Sequence, residues 1–393
     1  MIEPGLIRHL GLALFACAVL MACAHRPGDR QPAPPYTGPV DLVVAAEPPK
    51  PSLMLDIGVR VFDQRRAEDS STPINETVFN RIRNLETHYL PIVLRDTLIA
   101  SNHWGAVRVL PQDDPSVDLR IQGTIVESDG ATLELEIVAV DSSGREWLER
   151  SYRGNAYSIH YPDLIATMDQ PAAEDLPDPF GDVYARIAND LLAARLALSK
   201  EELAALRKVS ALVHARDLSP DAFAAMLAED DAGHLALARL PAVNDPMLAR
   251  VERMRERHHI FIDTIDAYYD ALYWDTKQLY DLWRHYSHDH VSEEIAAAQR
   301  PARRPSGEMS FESLRRNYER YRWAKIFEQE FVGLATGFVH ETAPAVLELS
   351  QRVNGLTGSV DEQYDQWRVL LRELFELETG GVLNQPVSAA GEG

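Results

Sequence analysis

The chain has 393 residues, of which 46% are hydrophobic, and a formal net charge of −21 at pH 7. This hydrophobic content is typical of a globular protein and excludes an intrinsically disordered one. The negative charge argues against general nucleic-acid binding and against electrostatic adhesion to an anionic membrane surface.

The N-terminal segment has the parts of a cleaved bacterial export signal. A short region carrying Arg8 precedes an uncharged apolar run, residues 10–21. This run of about 12 residues is too short to cross a hydrocarbon core of about 30 Å as a helix. Leu20-Met21-Ala22-Cys23 at its end resembles a lipobox, after which the cysteine becomes lipid-modified. We therefore predict a signal peptide over residues 1–22 and membrane attachment through acylated Cys23.

The residues after Cys23 predict where the protein is held and how far it reaches. Ala24 replaces the Asp that favours inner-membrane retention, which predicts an outer-membrane location facing the periplasm. The second cysteine, Cys17, lies in the predicted signal, so we expect no disulfide in the mature chain. Eight prolines between residues 24 and 52 predict an extended spacer, and we assign residues 23–52 to a Pro-rich linker.

Residues 53–198 are predicted to form an α/β domain. A period of two in apolar residues predicts strands, and a 3–4 spacing predicts helices. The predicted strands lie near residues 55–61, 106–110, 119–125, 133–139 and 146–152, and the predicted helices lie over 75–102 and 183–192. The order β-α-β-β-β-β-α predicts a small mixed or antiparallel-rich sheet with helices on one face. We expect Pro91 to kink or divide the first helix.

Two segments carry a resemblance to known periplasmic domains. They are Asp56-Ile57-Gly58-Val59-Arg60-Val61-Phe62 and the helix entry Asp178-Pro179-Phe180. Together with the element order, they resemble the small α/β domain of the curli-secretion CsgG-like group and of the TolB N-terminal domain. The resemblance implies no catalytic motif, and pore formation is not implied because no long amphipathic hairpins are found. The whole chain also resembles uncharacterised proteobacterial outer-membrane lipoproteins.

Residues 199–379 are predicted to form an all-α domain with long antiparallel helices, so the fold class is α+β. Modest helices are expected over residues 200–217 and 220–229, the second capped by Ser219. From Pro246 a run without Pro or Gly until Pro301 predicts an amphipathic, coiled-coil-like helix of around 50 residues.

The end of the chain completes the predicted helical domain. A second long helix is expected near residues 310–344, packed antiparallel to the first. A last helix is expected to carry Tyr364, Trp367 and Leu371. Residues 380–393 are predicted to be a disordered tail.

A histidine-rich segment is the best candidate for a metal site. Asp281, His285, His288, Asp289 and His290 have helical spacing, and such ligands suit zinc or iron. No second Glu-x-x-His set and no His-Glu-x-x-His motif accompanies them. A solvated helix end is therefore the preferred interpretation, and we predict neither a metal nor another cofactor.

The remaining polar residues do not form a catalytic signature. His258 lies on the apolar stripe of the long helix and is predicted to be a core histidine. Asp263, Asp266 and Asp270 are predicted to form a charged outer face. No nucleophile elbow, phosphate loop or Rossmann fingerprint occurs. We predict no catalytic residue and no enzymatic activity.

Two features are predicted interaction surfaces. A basic island between Arg300 and Lys325 could bind an acidic partner, lipid head groups or lipopolysaccharide phosphates, with pairing to Glu312 and Glu319 as the alternative. Its candidate residues are Arg303, Arg304, Arg315, Arg316 and Arg322. Seven aromatic residues crowd residues 268–286, too many for one helix seam. The candidates for exposure there are Tyr269, Tyr273, Trp274 and Trp283.

These observations predict a non-enzymatic, lipid-anchored envelope protein that acts as a binding or assembly scaffold in the periplasm. Its expected partners are the membrane, through Cys23, and an envelope protein or a second copy of the chain, with no nucleic acid. One alternative is a metal-dependent protein or enzyme using His285–His290. Another is a lipid- or lipopolysaccharide-binding protein using the basic island.

Overall fold

The computed structural model describes residues 35–65, 76–156, 177–239, 245–298, 356 and 358–379. The predicted signal peptide with Cys23, the basic island, the second long helix and the tail lie outside these residues. Within them, no helix combines the length and the apolar character needed to cross a membrane. The fold is α+β, as predicted.

The first part of the chain follows the predicted order of strands and helices. Its elements are β1 (Ile57–Arg60), β2 (Asp63–Gln64), α1 (Glu76–Ala100), β3 (Val107–Leu110), β4 (Leu119–Ser128), β5 (Thr132–Asp141), β6 (Glu146–Asn155) and α2 (Gly181–Leu196). The two-residue strand β2 is an addition to the prediction. Pro91 lies inside α1, which is assigned as one helix along its 25 residues.

The second part is mainly helical. Its elements are α3 (Lys200–Leu218), α4 (Pro220–Phe223), β7 (Leu227–Glu229), β8 (Leu235–Leu237), α5 (Pro246–Ala298) and α6 (Val360–Thr379). The 53-residue α5 confirms the predicted long helix and begins at the predicted proline. At 1.5 Å per residue it is about 80 Å long.

The helix predicted over residues 220–229 is wrong in its second half. The chain leaves α4 through a single 3₁₀ turn and then forms a β7–β8 hairpin. The Asp230 carboxylate accepts the backbone N–H groups of Ala232 and His234, which closes the hairpin turn. Ser219 makes no side-chain cap at α4, whereas Ser199 forms a capping box with Glu202 at α3.

The main sheet is mixed, with the strand order β3-β1-β4-β5-β6. Strand β1 pairs in parallel with β3 and β4, and β2 also pairs in parallel with β4. Strands β4, β5 and β6 are antiparallel. Asp129 accepts the N–H groups of Ala131 and Thr132 in the turn between β4 and β5. The strand order makes β3 and β6 the two edges of this sheet.

The sheet buries one face under α1 and α2. Apolar residues at alternate positions of β4 and β5 face these helices, as the period-two pattern predicts. The packed residues include Leu119, Ile121, Leu133, Leu135 and Ile137 of the sheet, Tyr89, Leu90 and Leu94 of α1, and Val183, Ile187 and Leu191 of α2. The helices on one face were therefore predicted correctly.

A second hydrophobic cluster joins the predicted α/β and helical domains. Val109 and Leu110 of β3 and the following Val117 pack with residues of α3, α5 and α6. In the first cluster, Tyr280 and Trp283 of α5 pack with the sheet and its helices. The long helix thus contributes to both clusters, and the domain boundary at residue 199 stays a prediction.

Residues 36–53, which we call the strap, run along the body. Thr37 donates its N–H to the Arg153 carbonyl of β6, and the Arg153 guanidinium lies over the Tyr36 ring. Further along, Val40 and Val43 donate their N–H groups to Asp182 and Asn189 of α2. The compact unit therefore begins at Tyr36, within the segment that was predicted to be a spacer.

Position 130, in the β4–β5 turn, requires glycine because of both its backbone conformation and the atoms around it. Its φ is +81°, and a Cβ atom there would meet the backbone oxygen of Arg284 in α5. Gly144 has a similar φ of +88°, but a Cβ atom there would make only an ordinary contact of 4.0 Å with the backbone oxygen of Gly233. Positive φ alone costs a non-glycine residue about 1 kcal/mol, and forced contact with a packed backbone adds about 1–3 kcal/mol.

We therefore expect Gly130→Ala to lower the free energy of unfolding by about 2–4 kcal/mol and Gly144→Ala by about 1 kcal/mol. Urea denaturation of the two variants measures the difference. Equal losses would mean that α5 does not press against the β4–β5 turn.

Candidate functional site

Helix α5 covers an edge of the sheet. The Asp266 carboxylate accepts the backbone N–H of Val109 in the edge strand β3 at 2.6 Å. Unpaired N–H groups on an edge strand are sites for unwanted pairing with another chain, and covering them prevents it. This contact places the Asp266 side of α5 against β3.

Buried arginines add charge to this contact. Arg95 of α1, with a side chain only 6% exposed, pairs with Asp266 at 3.0 Å and with Asp270. Arg108 of β3 pairs with Asp263. Burial alone would lower the pKa of Arg95, but the surrounding carboxylates raise it above its usual range. The predicted charged outer face holds for Asp263, which is exposed, but not for Asp266, and all three aspartates bind arginines of α1 or β3.

His258 of α5 sits in a buried hydrogen-bond network, as predicted for a core histidine. Its Nε2–H donates to Asp114 Oδ2 at 2.5 Å, and Trp367 Nε1–H donates to its Nδ1 at 3.1 Å. Because an indole N–H can only donate, Nδ1 is the acceptor in the contact with Trp367. Tyr364 also donates to Asp114. The network joins α5 and α6 to the segment after β3.

The Asp114 carboxyl stays charged in this network. Burial disfavours the charge, but His258 and the hydrogen bonds from His258, Ser116 and Tyr364 hold the pKa of Asp114 well below its usual range. Both ring nitrogens of His258 are engaged, so neither can serve as a catalytic base.

His214 of α3 stacks on His258 with a centroid separation of 6.0 Å. It is 2% exposed, and neither ring nitrogen has a hydrogen-bond partner within the protein. Burial, followed by the charges nearby, lowers the pKa of His214 to about 3. A small cavity beside it is lined by Asp217 and Arg368, with about 10 Å³ of free space. That is room for about one water molecule and too little for a small-molecule substrate.

The outward face of α5 differs from its inward face. Ile260, Thr264, Ala267, Ala271 and Trp274 recur every three or four residues and therefore share one side of the helix. Ile260 is 62% exposed and Trp274 is 57% exposed. We call these five residues the α5 stripe. Ala267 and Ala271, on the N-terminal side of the exposed Trp274, are small side chains that another helix can approach closely.

The four predicted aromatic residues fall into different environments. Tyr269 and Trp283 are buried in the two hydrophobic clusters, and Tyr273 is half-buried against Tyr89 with ring centroids 4.5 Å apart. Trp274 is exposed. The predicted candidates Arg303, Arg304, Arg315, Arg316 and Arg322, like Cys23, lie outside the described residues.

The charged residues of the histidine-rich segment form several separate ion pairs and do not converge on one point. Asp281 binds Lys277 and Arg284, while Asp289 lies 3.6 Å from His285 and 3.3 Å from His288. Across the described residues, no group of three or more His, Cys, Asp and Glu side chains is arranged to hold a metal ion.

A buried acid that sequence reasoning missed lies on the inward side of α5. Glu86 of α1 accepts hydrogen bonds from Ser128 Oγ at 2.7 Å and from Tyr280 OH at 2.9 Å. Burial raises the pKa of Glu86 to about 7, against the opposing effect of these bonds and of Arg284. The sequence signal was available, because Glu86 shares a helix face with Ile82, Tyr89 and Leu90.

Comparisons with known proteins do not identify a family for this chain. No protein-family model and no curated protein matches the chain. A PelC dodecamer from Paraburkholderia phytofirmans is 14% identical with a TM-score of 0.23, over 37% of this chain and 92% of that one. Hypothetical protein CT253 from Chlamydia trachomatis is 10% identical with a TM-score of 0.18, over 35% and 93%. At these scores the likeness supports no conclusion, and the resemblance to CsgG-like and TolB domains stays a prediction.

His214 yields a prediction about stability in acid. The unfolded chain binds a proton at this residue near pH 6.5, whereas the folded chain does so only near pH 3. As the pH falls from 6.5 towards 3, the unfolded chain gains a proton that the folded chain does not. The free energy of unfolding therefore decreases over this range, by up to about 5 kcal/mol. We expect His214→Leu to lose correspondingly less stability over that range. Urea denaturation of both proteins at pH 7 and pH 4 measures this, and parallel losses would contradict it.

Proposed function

We propose that the protein is a non-enzymatic scaffold of the bacterial envelope, anchored through acylated Cys23 at the outer membrane and facing the periplasm. In this proposal, the α5 stripe binds a helix of an envelope partner or of a second copy.

The observation that carries the proposal is the exposure of Trp274 on a helix that is otherwise tightly held. Its neighbours Tyr269 and Trp283 are buried, so the exposure belongs to the outward face. Trp is enriched among the residues that contribute most to protein–protein binding. Ala267 and Ala271 beside it allow a partner helix to approach closely.

The rigidity of α5 supports a scaffold rather than a mobile arm. Arg95 and Arg108 bind aspartates of its central part, and His258 binds Asp114 nearer its N-terminus. A surface that is already ordered loses little conformational entropy when a partner binds. The α5 stripe is therefore prepared for binding in the unbound protein.

Two of the polar groups that could perform chemistry, His258 and Asp281, are engaged in structural contacts. The His258 nitrogens are occupied by Asp114 and Trp367. Asp281, which a metal site would need, binds Lys277 and Arg284. This engagement favours a binding role over the alternative of a metal-dependent enzyme using His285–His290.

The proposed anchor sets how far the body can stand from the bilayer. Twelve residues, 24–35, separate Cys23 from Tyr36, where the strap is bound to the body. A segment of twelve residues can span at most about 40 Å, which is the upper limit of that distance.

Trp274→Ala tests the proposal in cells. We expect its co-purification with the partner, or with a second copy, from detergent-solubilised envelopes to fall about 30-fold, the loss of about 2 kcal/mol at a central Trp contact. Leu196→Ala is the matched control, because Leu196 is a 69% exposed apolar residue on α2. It should retain the partner.

The anchor is tested in the same experiment. Cys23→Ala should move the protein from the membrane fraction to the soluble fraction, because no acylated cysteine remains. Equal recovery of partners with Trp274→Ala and wild type would refute the binding surface. Continued fractionation of Cys23→Ala with the membrane would refute the anchor.

A further inference from the structure

A second set of contacts attaches α5 to the sheet, about four to five turns from the contact of Asp266 with β3. We call it the Glu86 cluster. Its members are Glu86 of α1, Ser128 of β4, Asp178 before α2, and Tyr280, Asp281 and Arg284 of α5. The Arg284 side chain is 2% exposed and lies over the rings of Tyr280 and Tyr89. These contacts are independent of the α5 stripe.

The charges in the Glu86 cluster are unbalanced. Arg284 already pairs with Asp178 at 2.9 Å and with Asp281 at 2.7 Å. An ionised Glu86 would be a third carboxylate around one buried guanidinium, and its fully buried position offers no water to stabilise the charge. A neutral Glu86 avoids this cost and can still accept the two hydroxyl hydrogen bonds.

The groups that face the Glu86 carboxyl come from every element packed around it. They are Arg83 of α1, Ser128 of β4, Tyr184 of α2, and Tyr280 and Arg284 of α5, and Arg284 in turn pairs with Asp178 and Asp281. Arg83 and Arg284 favour the charged form, whereas burial outweighs both.

The same part of α5 is held closely against the β4–β5 turn. Ser287 Oγ donates to the Asp129 carbonyl at 2.5 Å, and Gly130 leaves no room for a Cβ beside the α5 backbone. A movement of α5 away from this turn would take the Tyr280 hydroxyl from Glu86 and give the carboxyl access to water. Ionisation of Glu86 and docking of α5 are therefore coupled.

We propose that Glu86 is a protonation switch for residues 276–290 of α5, which dock on the sheet more tightly when its carboxyl is neutral than when it is ionised.

The direction and range of the switch follow from linkage. The pKa of Glu86 is about 7 when docked and 4.5 when exposed to water. Below pH 4.5 the carboxyl is neutral in both states, and docking has its full stability. Between pH 4.5 and 7 only the released state ionises, so docking weakens by about tenfold per pH unit. Above pH 7 both states are ionised, and the dependence ends.

Hydrogen exchange of the full-length protein tests this switch. After correction for intrinsic exchange rates, the opening constant of residues 276–290 should rise about 50-fold between pH 5 and pH 7.5 in the wild type. In Glu86→Gln, which keeps an acceptor oxygen but cannot ionise, the rise should be under about threefold. Glu134→Gln is the matched control, because Glu134 is a buried glutamate of β5 that lies beside Arg153. It should behave as the wild type.

Ser128→Ala keeps the test valid if Glu86→Gln fails to fold. The Ser128 hydroxyl lowers the pKa of Glu86, so its removal should enlarge the rise between pH 5 and pH 7.5. A wild-type rise under about threefold, or a rise in Glu86→Gln equal to that of the wild type, would overturn the proposal. A missing partner at Trp274 would leave it unaffected.

Discussion

The contact between Asp266 and the backbone of β3 determines how the rest of the molecule is built. A mixed sheet with β3 at its edge needs a cover on that edge, and α5 supplies a carboxylate that accepts the Val109 N–H. Once Asp266 is placed, Arg95 can reach both Asp266 and Asp270. The rotation of α5 is then set, which buries Tyr269 and leaves Trp274 in solvent.

Two buried ionisable groups lie along α5 on either side of this contact, and they respond to pH in opposite directions. His214, beside His258, is held neutral by burial, so a fall in pH lowers the free energy of unfolding because the unfolded chain takes up a proton there. Glu86, beside Tyr280, weakens the docking of residues 276–290 as the pH rises, because its carboxyl ionises more readily when it is exposed to water. Their opposition places the best-packed state of the molecule in mildly acidic to neutral solution, with each end of α5 responding separately.

Local pattern was enough to predict most of the elements, because strand alternation and the proline that begins α5 are short-range signals. The partners of Asp266 and Asp270 could not be read in this way, since Arg95 lies more than 170 positions away in the chain. The β7–β8 hairpin was missed because Pro220 resembled a helix start, while the turn at Asp230 and Gly233 was the stronger signal. Aromatic crowding predicted an interaction surface but could not identify Trp274 as its exposed member, because burial depends on the sheet.

The central claim is that Asp266 joins α5 to the α/β domain, through the Val109 N–H and through its pair with Arg95. A double-mutant cycle in urea, using Arg95→Met and Asp266→Asn, measures that pair directly, because the introduced asparagine would keep an acceptor for the Val109 N–H. The predicted coupling free energy is about 1–3 kcal/mol, as expected for a partly buried charged pair. A coupling below about 0.5 kcal/mol would contradict the account.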